Sequence, residues 1–151
     1  MLILGSLDGV ETGIRQLVRR RPLEVERIAV PGGEVVLPSA AEMLRTKAWM
    51  VLRRNATRDH LDVVALAEQV ADPAGVLAAM DDYYADQLGE GGRRVAGQMA
   101  RQLAQPAPYD LADVDLTRYR RLREDLRDWR SVADRCVGLA AGILQRVAEG
   151  T

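Results

Sequence analysis

The sequence predicts an α+β fold that is mostly α: a short β-hairpin and edge strands at the N-terminus, followed by a helical bundle. Three observations carry that prediction. Before residue 38 the apolar residues come in short blocks or alternate, with Gly- and Pro-containing turns between them. From Ser39 onward they recur every three or four positions. The hydrophobic fraction is 48% over 151 residues, enough to bury one core.

The elements follow in order. Met1 to Leu4 is an apolar run that stops at Gly5-Ser6 and reads as a short buried strand. A strand there needs a neighbour, and an open edge at Leu2 to Leu4 would invite pairing with a second copy, a possible homodimer. Val10, Ile14, Leu17 and Val18 have helical spacing, so a helix is expected over Val10 to Arg21, with Arg19-Arg20-Arg21 at its negative end. Pro22 ends it. Leu23 to Val30 and Glu34 to Leu37 flank the turn residues Pro31-Gly32-Gly33 and read as a hairpin. Ser39 and Glu42 form a capping-box pair that starts a helix running to Arg54. After Asn55-Ala56, Thr57 is expected to cap a second helix holding Leu61, Val64, Leu66 and Val70. Asp72-Pro73 starts a third, expected to continue to Gln87. Leu88 to Gly92 is a Gly-rich linker, Arg93 to Leu103 a short helix, and Asp110 to Tyr119 irregular. A final helix is expected from Glu124 to Ala148, with Val132, Cys136, Leu139, Ile143 and Val147 on one stripe.

Composition narrows the function classes. The net charge of −1 argues against a uniformly basic nucleic-acid binder. A lone cysteine, Cys136, excludes an internal disulfide and fits a reducing compartment. No apolar run approaches the roughly 20 residues that span a bilayer, and no signal peptide opens the chain. The expectation is a cytoplasmic protein without a membrane partner. Among 21 basic residues Lys47 is the one lysine, and lysine offers a compact point charge where arginine offers a delocalised fork.

Lys47 and Arg54 lie seven apart on one helix face, with Met43 and Met50 on the same stripe. Asp59 and Asp62 lie three apart at the start of the next helix. A short break between the helices lets the basic and acidic pairs meet near the turn. The same spacing also suits a salt-bridged helix hairpin with Arg54 or Arg58 on Asp59.

The segment from Lys47 to Arg54, followed by Arg58-Asp59 and Asp62, resembles the signature of AbiEii/AbiGii nucleotidyltransferases, the MenT-like toxins of toxin–antitoxin systems. Asp115, Arg118-Tyr119, Asp128-Trp129, Val132 and Cys136 extend the resemblance, which covers the C-terminal part of such an enzyme. It implies that residues 1–38 are a remnant of a polymerase-β-like palm and that residues 39–151 form a helical C-terminal domain. It further implies Mg²⁺ and an NTP for the full-length family, with nucleotide transfer to an RNA such as tRNA. Lys47 and Asp59 would be catalytic, Lys47, Arg54 and Arg58 would hold phosphates, and Asp62 would support them. The family's metal-binding D-x-D does not follow Gly5-Ser6, and Asp113-Val114-Asp115 stands in a loop, so the chain is expected to be truncated and inactive alone. An RNA-binding or antitoxin-binding helical module is the second reading, and a decayed or mis-started reading frame the third.

Weaker signals remain. Arg118 to Arg123 with Arg127 and Arg130, interleaved with Tyr119 and Trp129, could grip RNA or form an ion-paired face with Glu124, Asp125 and Asp128. His60 is expected to be a partly exposed residue near a helix cap and Cys136 a buried, inert thiol.

Overall fold

The computed structural model describes residues 2–16, 18–87, 94–119 and 122–150. Among these residues four strands come first: β1 (Leu2–Leu7), β2 (Val10–Arg15), β3 (Val25–Val30) and β4 (Gly33–Pro38). They form two separate antiparallel hairpins, β1 with β2 and β3 with β4. Among the described residues six helices follow: α1 (Ala40–Arg53), α2 (Thr57–Ala67), α3 (Pro73–Ala78), α4 (Asp81–Tyr84), α5 (Val95–Ala104) and α6 (Trp129–Glu149). The α+β, mostly helical layout expected from the sequence is the layout observed.

The first hairpin replaces the expected helix over Val10 to Arg21. Leu7 pairs with Val10 across Asp8 and Gly9, whose φ angles are 51° and 80°. Two consecutive positive φ values make a type I′ turn, the two-residue loop that matches strand twist. Asp-Gly between Leu7 and Val10 is thus a hairpin signal, and it outweighs the helical spacing of Val10, Ile14 and Val18. The first strand accordingly runs through Gly5-Ser6 to Leu7 rather than stopping at Leu4. Leu17, part of that spacing, lies outside the described residues, as do the expected linker at Leu88 to Gly92 and the expected helix start at Arg93. The second hairpin forms as read, with Pro31 and Gly32 at the turn and Gly32 at φ 93°.

Helix ends explain the other differences. Ser39 Oγ accepts the Glu42 N–H at 3.1 Å and starts α1, but the Glu42 carboxylate does not complete a capping box. It turns inward, where Arg19 and Arg45 hold it. Thr57 is the first residue of α2 and not its cap. Its N–H and Oγ donate to Asp110 at 2.7 and 2.8 Å, so a loop 53 residues away caps the helix. The third expected helix breaks at Ala79-Met80 into α3 and α4 and ends in a 3₁₀ turn at Ala85–Gln87. The last helix starts at Trp129, because Asp128 caps it by accepting the Arg130 N–H at 3.2 Å. Glu124–Leu126 before it is a separate 3₁₀ turn.

The core lies among the helices. Leu44, Ala48 and Val51 of α1 meet Leu61 and Val64 of α2, Leu77 of α3, Met99 and Leu103 of α5, and Val132, Cys136 and Ile143 of α6. Each fully buried aliphatic side chain contributes about 1.5–3 kcal/mol, so the helical body carries most of the stability. Gly142 lets α6 close on α3: a methyl group at that position would stand 2.9 Å from Ala74 Cβ. Both hairpins stand off this body, with every described side chain of their strands exposed.

A polar clasp ties the N-terminal part to the body. The Arg20 N–H donates to the Tyr83 carbonyl at 2.9 Å, and the Ser39 N–H to the Glu24 carbonyl at 2.9 Å. Glu42 is fully buried between the guanidinium groups of Arg19 and Arg45. Arg45 also donates to Glu24 at 2.9 Å, and Tyr83 Oη donates to Glu24 at 2.7 Å. The Tyr83 hydroxyl, then Arg45, hold the Glu24 carboxyl below the usual carboxylate range. Arg20 and Arg21 pair with Asp86 and Asp82, so the arginine run grips acidic side chains and not a helix end.

Candidate functional site

The basic and acidic residues singled out by spacing do meet at the α1–α2 turn, in a pairing that differs from the expected one. Lys47 Nζ donates to Asp62 Oδ2 at 2.7 Å, with both side chains about one-third exposed. Asp59, the expected partner of Lys47, is fully buried and bonded to Arg54, whose Nε lies 3.2 Å from Oδ2. The same Asp59 oxygen accepts the Ala56 N–H at 3.4 Å, closing the first turn of α2. Arg58 stands 4.0 Å from Asp62 along one helix face. Physical reach explains the exchange: Arg54 follows α1 directly into the turn, while Lys47 lies two helical turns earlier and reaches only the carboxylate farther along α2. The bonded carboxylate of Asp59 keeps the Arg54 guanidinium above its ordinary pKa.

Asn55 holds the turn beneath these pairs. Its backbone is left-handed, at φ 55°, a conformation asparagine tolerates better than most residues. Its Oδ1 accepts from Gln102 Nε2 at 2.8 Å and from His60 Nε2 at 2.9 Å, while its Nδ2 donates to the Ala107 carbonyl at 2.7 Å. His60 is fully buried, contrary to the expected cap-region exposure. Its ring is edge-on to Trp129 at 5.8 Å, and its Nδ1 is 3.9 Å from Cys136 Sγ. Burial pushes its pKa down to about 4, so the ring is neutral, and pushes the Cys136 thiol up to about 12. An imidazole without a proton to exchange near neutrality, beside a thiol that stays protonated, is packing and not a nucleophile–base pair. Spacing missed this cluster because Gln102 and Cys136 come from stretches of chain far from Asn55 and His60.

The site does not suit the metal chemistry that the resemblance implied. Both carboxylates at the turn are taken by cations, and among the described residues no group of three His, Cys, Asp or Glu is placed to hold a metal ion. Asp115 of Asp113-Val114-Asp115 caps the 3₁₀ turn Leu116–Arg118, accepting the Thr117 N–H at 3.0 Å. In the C-terminal arginine run, Arg123 pairs with Glu68 and Asp125, as Arg135 does, which gives an ion-paired face. Arg120 and Arg121 lie outside the described residues.

A cleft of about 300 Å³ opens beside α1, lined by Gln16, Val18, Thr46, Trp49, Met50, Arg53 and Gln87. Trp49 stacks on Tyr84 at 4.5 Å, and the Arg53 guanidinium lies over the indole at 5.9 Å. No helix of the described residues is long and apolar enough to cross a membrane.

Comparison with known proteins overturns the toxin assignment. The chain is 34% identical over 130 residues, 84% of its length, to the heme uptake protein MmpL11 of Mycobacterium tuberculosis. It is equally similar to the probable transport protein MmpL11 of Mycobacterium bovis and to the mycolic acid-containing lipids exporter MmpL11 of Mycolicibacterium smegmatis. In each case the match covers 13% of the relative's length. No protein-family model matches the chain, and no solved structure does. These relatives are transport proteins, so the AbiEii/MenT nucleotidyltransferase assignment is corrected. Its toxin–antitoxin setting and tRNA acceptor fall with it, as does the alternative of an RNA- or antitoxin-binding module. A signature of five charged residues on a helix hairpin is outweighed by similarity across most of the chain. What the chain resembles is one segment, about an eighth, of the MmpL11 transport proteins.

Proposed function

We propose that this chain works as an extramembrane accessory module of MmpL11-type transport, not as the membrane-crossing part and not as an enzyme. The observation that carries the reading is the match itself, which takes in 84% of this chain and only 13% of the transport protein. A helical body with its own core, and no membrane-crossing helix among the described residues, supports an element that folds beside the transporter. We place it on the cytoplasmic face, where a protonated, buried Cys136 and the absence of a disulfide partner fit a reducing medium. In this reading Lys47, Arg54, Arg58, Asp59 and Asp62 set the angle of the α1–α2 corner and leave the cleft beside Trp49 and Arg53 free to receive another segment of the transporter.

A domain exchange tests this. The matching segment of the M. smegmatis exporter is deleted or replaced by this chain, and export of mycolic acid-containing lipids is measured. Replacement should restore export that deletion abolishes. A chimera that reaches the membrane at normal abundance yet exports no better than the deletion would refute the reading. A fluorescent reporter that matures only in the cytoplasm, fused at the junction, checks the assigned face.

A further inference from the structure

The geometry points to β1 as the edge through which two copies of this chain pair, antiparallel and centred on Gly5. The hairpin turn fixes which groups are free. In a two-residue type I′ hairpin the flanking pair, here Leu7 and Val10, exchanges both backbone hydrogen bonds. Alternation then aims Gly5 and Ile3 at β2, while the N–H and C=O groups of Leu4 and Ser6 point to the outer edge. Among the described residues no strand other than β2 pairs with β1.

Sequence singles out this edge among the four. Open edges are normally guarded against pairing by charges or proline. β2 carries Glu11 and Arg15, β3 carries Glu26 and Arg27, and β4 carries Glu34 and Pro38. β1, Leu-Ile-Leu-Gly-Ser-Leu, carries neither. Two copies therefore meet there without like-charge repulsion.

Register follows from the pleat. With Gly5 on the two-fold axis, Ile3 of one copy stands opposite Leu7 of the other and Leu4 opposite Ser6. Ile3, Gly5 and Leu7 share a face, so the apolar face of one hairpin continues into the next. A slip of one residue would put Ile3 opposite Ser6 and mix the faces. Gly5 falls at a non-hydrogen-bonded pair, where the two backbones come closest and the missing side chain leaves room for that approach. Ile3, Leu4 and Leu7, exposed by 50%, 76% and 70%, gain cover. A six-residue strand covers well under the ~800 Å² per partner of a standard interface, so the dimer is weak and depends on concentration.

Sedimentation of the whole chain from ~1 µM to ~300 µM, the range in which small interfaces associate, tests the pairing. The mass should rise toward that of a dimer. Leu4→Pro removes an outward N–H and leaves the bonds to β2 intact, so it should stay monomeric with unchanged helical circular dichroism. Gly5→Cys should form a disulfide-linked dimer under mild oxidation, since an added Cβ there meets nothing within 4 Å and Cys136 is buried. Leu4→Cys should not, because its partner across the axis is Ser6. A wild-type chain that stays monomeric throughout, a Leu4→Pro chain that associates equally, or equal crosslinking at residues 4 and 5 would overturn the proposal.

Discussion

Acidification should destabilise this protein well above the range in which carboxylates titrate, through His60. The ring is fully buried, with Nε2 bonded to Asn55 Oδ1 and Nδ1 facing the Cys136 thiol. Asn55 Oδ1 can only accept, so Nε2 carries the hydrogen and Nδ1 is bare. Protonating Nδ1 would bury a cation against a thiol that burial keeps neutral. Asp59 and Asp110 favour the charged ring, and burial still prevails, lowering the pKa from 6.5 to about 4. The sign follows: the unfolded chain takes up a proton near 6.5 and the folded chain does not until about 4. Stability is therefore full above pH 6.5 and falls as pH drops toward 4. Each pKa unit is worth about 1.4 kcal/mol, which makes the full loss about 3 kcal/mol and the loss by about pH 5 roughly 2 kcal/mol. Urea unfolding at a series of pH values between about 7.5 and 5 reads this directly, before the carboxylates contribute. His60→Leu gives up the bond to Asn55 and is less stable at neutrality, but its stability should be flat over the same window. A wild-type profile as flat as the variant's, or a His60 ring that titrates near 6.5 in the folded protein by NMR, would refute the reasoning.

Three further outcomes are expected. Glu42→Ala should leave the buried Arg19 guanidinium without a carboxylate and Arg45 with Glu24 alone, costing about 3 kcal/mol in urea unfolding, since removing one member of a buried pair strands the other. Breaking the Lys47–Asp62 pair should cost less than about 1 kcal/mol in a double-mutant cycle, because both groups remain partly hydrated and screened. Gly142→Ala gains helix propensity but drives a methyl into Ala74 on α3, and a net loss of about 1 kcal/mol in thermal or urea unfolding is expected.

Much of the fold was legible because it rests on local chemistry. Pro31-Gly32 between apolar alternations, Ser39 before α1, and Asp72-Pro73 before α3 each act within a few residues, and each stands where the sequence predicts it, with Gly33 of the expected turn taken into β4. The helix expected over Val10 to Arg21 gives way to a strand at Val10–Arg15 because two local signals compete. Four apolar residues at helical spacing are compatible with a helix, but Asp8-Gly9 at positive φ commits the chain to turn back on β1. Once Val10 pairs with Leu7, the helical period has no meaning. The clasp around Glu42 was not legible, since it joins Arg19, Glu24, Arg45 and Tyr83 across up to 59 residues. The cap on α2 was hidden for the same reason, its acceptor Asp110 being distant in sequence.

The α1–α2 corner shows why a charge signature can be read correctly in space and wrongly in function. Two antiparallel helices joined by a short turn must place the C-terminal end of the first beside the N-terminal end of the second. Basic residues suit the former and acidic residues the latter, because each opposes the helix dipole it sits on. Arg54 at the end of α1 and Asp59 in the first turn of α2 satisfy that requirement, and Lys47 with Asp62 adds a cross-helix ion pair farther along the hairpin. The Lys, Arg and Asp pattern is therefore what a stable helix hairpin selects whether or not a nucleotide ever binds there. A metal-dependent transferase would need unpaired carboxylates facing an open cleft, whereas here Asp59 is buried under Arg54. Similarity sustained over 130 residues constrains the whole packed body and is the stronger guide.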